Sequence, residues 1–129
     1  MGKNIMENQN IAIVGLNEAG QKMLHKMLAL KDRGVNVVGV ATQHQKSDID
    51  TADQAGLDVL TIQQLVDVGE KVDIIFDLSG NRAVRSELRR TLFSSNNQHT
   101  VIAPESVARL VCAMIGDGCE LPTSEQPGY

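Results

Sequence analysis

The chain has 129 residues, 42% of them apolar and 22% charged, which suits one globular core and argues against a second. Sixteen acidic residues against twelve basic ones give a formal charge of -4, which argues against a broad surface for nucleic acid or anionic membrane, though not against a small basic patch, so any phosphate site must be local. Phe76, Phe93 and Tyr129 are too few aromatics for a base-stacking platform. Cys112 and Cys119 have neither metal-ligand nor CxxC spacing, and no secretory or membrane-spanning stretch is visible, so the expectation is a reduced, cytoplasmic protein without a bound metal.

Residues 1–9 are polar apart from Ile5 and Met6 and read as a frayed leader. Asn10 to Gly15 (NIAIVG) is a β-branched apolar run ending on glycine, the pattern of a strand buried on both faces. Helical spacing follows, with Ala19, Met23, Met27 and Leu30 on one stripe and Leu24 and Leu28 beside it. Gly34 predicts a stop near Asp32 to Arg33, because a left-handed cap resists side-chain-bearing residues. Val35 to Ala41 (VNVVGVA) is a second buried strand, which makes a right-handed βαβ unit.

Ser47 to Ala55 reads as a weaker helix, closed by Gly56, and Asp58 to Leu60 as a third short strand. Thr61 and Gln64 form a T-x-x-Q capping box for a helix from Ile62 to about Val68. Val72 to Leu78 (VDIIFDL) is the fourth strand, after which Asn81 caps a helix carrying Val84, Leu88 and Leu92. Thr100 to Ala103 is the fifth strand. Pro104 sits at a helix start, and Val107, Leu110, Val111, Met114 and Ile115 give the last helix its apolar stripe. Residues 116–129 hold Pro122, Pro127 and acidic residues without apolar period and read as a tail or linker stub.

This alternation predicts an α/β, three-layer Rossmann-like fold over residues 10–115, with a parallel sheet of about five strands in the order 3-2-1-4-5. Ligands of such sheets bind beyond the carboxyl ends of the strands where the winding reverses, here between the first and fourth strands. The loops that face this crevice are Gly15 to Gly20, Ser79 to Asn81, and Pro104 to Ser106.

The first loop reads Gly15-Leu16-Asn17-Glu18-Ala19-Gly20, which keeps the first and third glycines of G-x-G-x-x-G and places asparagine second. Gly15 permits the tight turn, Gly20 lets helix and strand approach, and helix-start amides favour an anion. Asn17 brings a β-carbon where bare backbone is wanted, and Glu18 brings negative charge unless it points away. The alternative is a structural turn that binds nothing.

An acidic residue about 20 positions past the glycines would mark an NAD ribose site. Ala41 to Gln43 offers no carboxylate; Thr42, Gln43, His44 and Lys46 either surround a 2′-phosphate or form an exposed polar loop. His25, His44 and His99 read most simply as surface residues. At Asp77-Leu78-Ser79-Gly80-Asn81, Gly80 allows close approach by a ligand, while Ser79 and Asn81 either bond that ligand or cap the next helix. Arg82, Arg85, Arg89 and Arg90 make that helix basic on one side, ordinarily a solvated face.

The segments IAIVGLNEAG, VVGVA, AGLDVL and VDIIFDLSGN resemble the N-terminal nucleotide domains of glucose-fructose oxidoreductase and inositol dehydrogenase-like proteins and of homoserine dehydrogenase-like proteins. The resemblance implies NAD or NADP binding at Gly15, Asn17 and Gly20. The chain departs from those oxidoreductases at Ala103-Pro104-Glu105-Ser106, where they carry Glu-Lys-Pro with a catalytic lysine, and it lacks their substrate domain. The expectation is a small-molecule nucleotide-binding or sensing module with no catalytic residue of its own, homo-oligomeric or fused to further domains. Two alternatives stand beside it: the cofactor half of an NAD(P)-dependent oxidoreductase, and a ligand-free interaction domain.

Overall fold

The structure is a computed structural model that describes residues 8–16, 18–42 and 56–115. The expected helix at 47–55, the tail at 116–129 and most of the leader lie outside the described residues.

Five strands, β1 (Gln9–Val14), β2 (Val35–Ala41), β3 (Val59–Leu60), β4 (Ile74–Asp77) and β5 (Val101–Ala103), form one sheet of order β3-β2-β1-β4-β5. Every pairing is parallel, as expected. The helices are α1 (Glu18–Leu28), α2 (Ile62–Asp67), α3 (Arg82–Ser94) and α4 (Glu105–Ile115). β1 starts one residue before the expected boundary, because the Gln9 amide donates to Gly34 O at 2.7 Å and so joins the ladder to β2.

Alternation along β1 explains the three layers. Ile11 and Ile13 project into a cluster with Met23, Leu24 and Met27 of α1 and with Phe76, Ala103 and Ala108. Ala12 and Val14 project oppositely, towards Leu65 and Val66 of α2 and Val84, Leu88 and Leu92 of α3. A strand so placed has no polar face, which is why its sequence is continuously apolar. The register of β1 on β2 slips at Ile11/Ala12, so that Ile11 faces Val37 and Ala12 faces Gly39. Val38 is the extra residue, and it is pushed to 37% exposure.

One helix expectation needs correction. α1 ends at Leu28 and passes into a 3-10 turn at Lys31–Arg33, which Gly34 closes at φ 88 with its amide on Lys31 O. The glycine therefore caps that tighter turn. In α4, Ala108 and Val111 pack on the sheet, while Val107, Leu110 and Met114 of the expected stripe stay exposed. The sheet ends at β5 and offers nothing broad enough to cover the whole stripe.

Candidate functional site

The carboxyl ends of β1, β2 and β4 meet at one point. Gly15 leaves β1 at φ 97, with its amide donating to Ala41 O at 2.7 Å. A β-carbon there would stand 2.8 Å from both the Cα and the N of Ser79. The loop after β1 therefore lies on the backbone of the loop after β4, and only glycine permits that contact. Gly15 and Thr42 join Ser79, Val84 and Ile62 around a cavity of about 40 Å³ floored by Val14 and Ala41. Of the three loops expected to face the crevice, those after β1 and β4 line it together with the end of β2, while Pro104 to Ser106 do not.

Within the first loop the residues divide by role. Leu16 is buried in the α1-side core at 1% exposure, and Ala19 and Gly20 are buried against the sheet. The Leu16 side chain therefore packs the core, and its carbonyl accepts from Gln21 Nε2 at 3.0 Å. Any ligand contact from Leu16, Ala19 and Gly20 is through backbone. The Glu18 side chain is 88% exposed and reaches 4.0 Å from Lys22 Nζ, so it does turn along the helix surface. The dipole of α1 favours an anion at its start. Asn17, Gln43, His44 and Lys46 lie outside the described residues.

The second loop is organised by Asp77, which is 2% exposed at the end of β4. Its Oδ1 accepts from both the Ser79 amide at 3.1 Å and the Ser79 hydroxyl at 2.7 Å. Ser79 Oγ in turn accepts from the Asn81 amide at 3.2 Å. Asn81 Oδ1 accepts from the amides of Ala83 and Val84, so of its two expected roles capping α3 is the one seen. Ser79 and Asn81 thus shape the loop, while Gly80 at φ 62 is exposed.

Sequence reasoning missed Asp77 as organiser and Ile62 and Val84 as walls. D-x-S-x-N at a strand end is the signal for the first, a run of side-chain-to-backbone turns. Ile62 follows the capping residue Thr61, whose box with Gln64 is present as expected.

The amino-terminal edge of the sheet is built differently. Asp73 accepts from the Asn10 amide at 2.8 Å, and its other oxygen lies 2.6 Å from His99 Nε2. The Asn10 bond first, and then His99, hold the Asp73 carboxyl below the usual aspartate range. The Thr100 hydroxyl donates to Val72 O at 2.6 Å and accepts from Asn97 Nδ2 at 2.7 Å. His99, expected as a plain surface residue, is half exposed but tied to this network. A larger open hollow of about 570 Å³ runs between α2 and α3, lined by Asp67, Glu70, Arg90 and Asn97 among others. It touches none of the three strand ends, and so the smaller crevice is the candidate site. Among the described residues no group of His, Cys, Asp or Glu is placed to hold a metal, and no helix is long and apolar enough to cross a membrane.

Comparison with curated proteins finds no match. Among solved structures, the chain is similar to an NAD-binding protein from Listeria innocua, with TM-score 0.54, 23% identity, and coverage of 84% of this chain and 32% of that one. It is similar to GenD2 from gentamicin A biosynthesis in complex with NAD, with TM-score 0.50, 15% identity, and coverage of 80% and 36%. It is also similar to the homoserine dehydrogenase of S. aureus, with TM-score 0.51, 14% identity, and coverage of 85% and 30%. At these identities the likeness is one of fold, and the chain spans about a third of each of those proteins. The acetohydroxy acid isomeroreductase NADPH-binding domain family matches residues 5–102, which takes in the glycine turn, all of β1 to β4 and the loop that follows. The chain belongs to that family of Rossmann-type NADPH-binding domains.

Proposed function

We propose that the chain binds NADPH, or NAD in its place, at the carboxyl edge of the sheet and performs no chemistry of its own, serving as a binding or sensing module of a larger regulatory protein or assembly. The convergence of Gly15, Thr42 and Ser79 on one crevice carries this reading. The pyrophosphate is assigned to the amides that follow Gly15 in the turn to Gly20, since the Gly15 amide is held by Ala41 O, and the loop Ser79-Gly80-Asn81 to the opposite side. Ala41 and Thr42 put no carboxylate at the end of β2, which suits a 2′-phosphate, with Gln43 and Lys46 as its further contacts. A bound nicotinamide nucleotide would supply hydride chemistry, and this chain's share is to hold and orient it.

Thermal unfolding with added nucleotide tests the reading. Ligand at about 100 times its dissociation constant stabilises a fold by about 2.7 kcal/mol. NADPH is expected to raise the midpoint at least as much as NADH; a clear preference for NADH would overturn the 2′-phosphate assignment. No shift with NAD, NADP, ATP, AMP or coenzyme A would leave a ligand-free interaction domain.

The exposed Val107, Leu110 and Met114 support a homo-oligomer or a fused domain over α4. That this chain covers about a third of each comparison structure favours a second reading, the cofactor half of an oxidoreductase. Oxidation of a substrate by the isolated chain would support that one only.

A further inference from the structure

Four of the six large apolar side chains that stand exposed among the described residues lie at one margin of the sheet: Val101 (59%) on β5, and Val107 (43%), Leu110 (60%) and Met114 (75%) on α4. β5 is the last strand of the sheet, and no described strand pairs with its outer edge. The Val101 amide turns inward and donates to Asp73 O at 3.0 Å, so by strand alternation the amide and carbonyl of Ile102 point outward. The outward donors to either side are not available: the Thr100 amide goes to Asn97 Oδ1 at 3.1 Å, and Pro104 has none. A residue that both donates and accepts at an edge is its own complement. Antiparallel to a second β5, Ile102 meets Ile102 and the two exchange both bonds.

The same two-fold fits α4. This helix packs on both β4 and β5, so its axis lies above the space between them. Strands are about 4.8 Å apart, which sets that axis about 5 Å from a two-fold at the outer edge of β5 and about 10 Å from its own copy, the distance at which helices pack. Ala108 and Val111 face the sheet, while Val107, Leu110 and Met114 lie about a quarter turn away around the helix. With right-handed crossovers that flank looks past β5 rather than towards α1. Antiparallel copies bring Val107 against Met114 and Leu110 against Leu110, and beneath them Val101 meets the second copy's Ala103. The four exposed side chains offer on the order of 400 Å² on each copy, with no charge among them. Two such patches, with Ser106, Ala113 and the β5 backbone at their rim, approach the roughly 1,200 Å² at which stable interfaces begin. A lone added strand would satisfy Ile102 and leave the α4 stripe in water; a second copy covers both.

We propose that the chain pairs with a second copy of itself through β5 and α4, about a two-fold at Ile102 that joins the two five-stranded sheets into one. The cover of α4 is then a second copy rather than a fused domain, and the pairing is independent of nucleotide.

Sedimentation equilibrium of the full chain without nucleotide tests this, at loadings up to about 1 mM so that even weak pairing registers. The expected mass is twice the 14.0 kDa of the chain. Leu110→Glu and, separately, Met114→Lys return it to 14.0 kDa with an unchanged circular dichroism spectrum, since both positions are exposed. Hydrogen exchange reports the strand: the Ile102 amide exchanges at least about tenfold faster in either monomeric variant than in the parent dimer. A chain that stays at 14.0 kDa at every loading, or a dimer that either substitution leaves intact, overturns the proposal. So does an Ile102 amide that exchanges equally fast in dimer and monomer, which would leave α4 paired without the strand.

Discussion

The two edges of the sheet hold their loops by different means. At the amino-terminal edge the bonds cross long stretches of chain: Asn10 to Asp73, Asn36 to Asn10, His99 to Asp73 and Thr100 to Val72. At the carboxyl edge the side-chain bonds of the second loop are local, with Asp77, Ser79, Asn81 and Val84 joined over two or three residues at a time. The first edge sews strands together. The second folds the loop after β4 upon itself and leaves glycine backbone at the mouth, which is what a phosphate-bearing ligand needs. The difference separates residues that serve stability from those that serve binding.

The largest expected effect is at the mouth. Gly15→Ala puts a β-carbon into the Ser79 backbone from a positive φ, and strain plus overpacking amount to about 2–6 kcal/mol. Urea unfolding would measure it, and an unchanged midpoint would show that the two loops do not touch as described. Asp77→Ala removes the acceptor of both Ser79 bonds and costs about 1–3 kcal/mol. Its loosened loop is also expected to weaken NADPH binding in calorimetric titration. At the opposite edge, Thr100→Val loses two hydrogen bonds and costs about 1–2 kcal/mol with NADPH affinity unchanged. A parallel loss of affinity would erase the distinction between the edges.

The smallest effect is in acid. Asp73 has its pKa lowered in the fold, so its contribution is complete above the ordinary aspartate value and is lost as pH falls through the lowered one. Stability is therefore expected to drop as the medium is acidified below the carboxylate range, and Asp73→Asn to flatten that limb. An identical acid profile in the variant would remove Asp73 from the account.

The strand order and the capping box were legible because they follow from period and local chemistry. β1 is apolar throughout because both its faces are covered, and Thr61 and Gln64 bond each other within one turn. Less was legible where distant segments decide. The slip at Val38 depends on how β2 meets β1, and nothing within VNVVGVA marks it. The apolar stripe of α4 shows helical period without telling which flank the sheet covers. At the site, the glycine turn named the right strand ends, but Leu16 packs the core, and Asp77 reads in sequence as an ordinary polar residue ending a strand. Its role depends on burial at the sheet's end, which tertiary packing supplies. The expectation that Ser79 and Asn81 either bind or cap was two-sided for the same reason, since only the burial of Asp77 decides that both of their amides are engaged within the loop.

Mapping amide shifts on NADPH addition tests the central claim most directly, that one edge binds and the other holds. The prediction is movement at Gly15, Leu16, Ala19, Gly20, Thr42, Ser79 and Gly80, with Asp73, His99 and Thr100 still. Shifts centred on Asp73 and His99, or along the hollow between α2 and α3, with Gly15 and Ser79 unmoved, would contradict it.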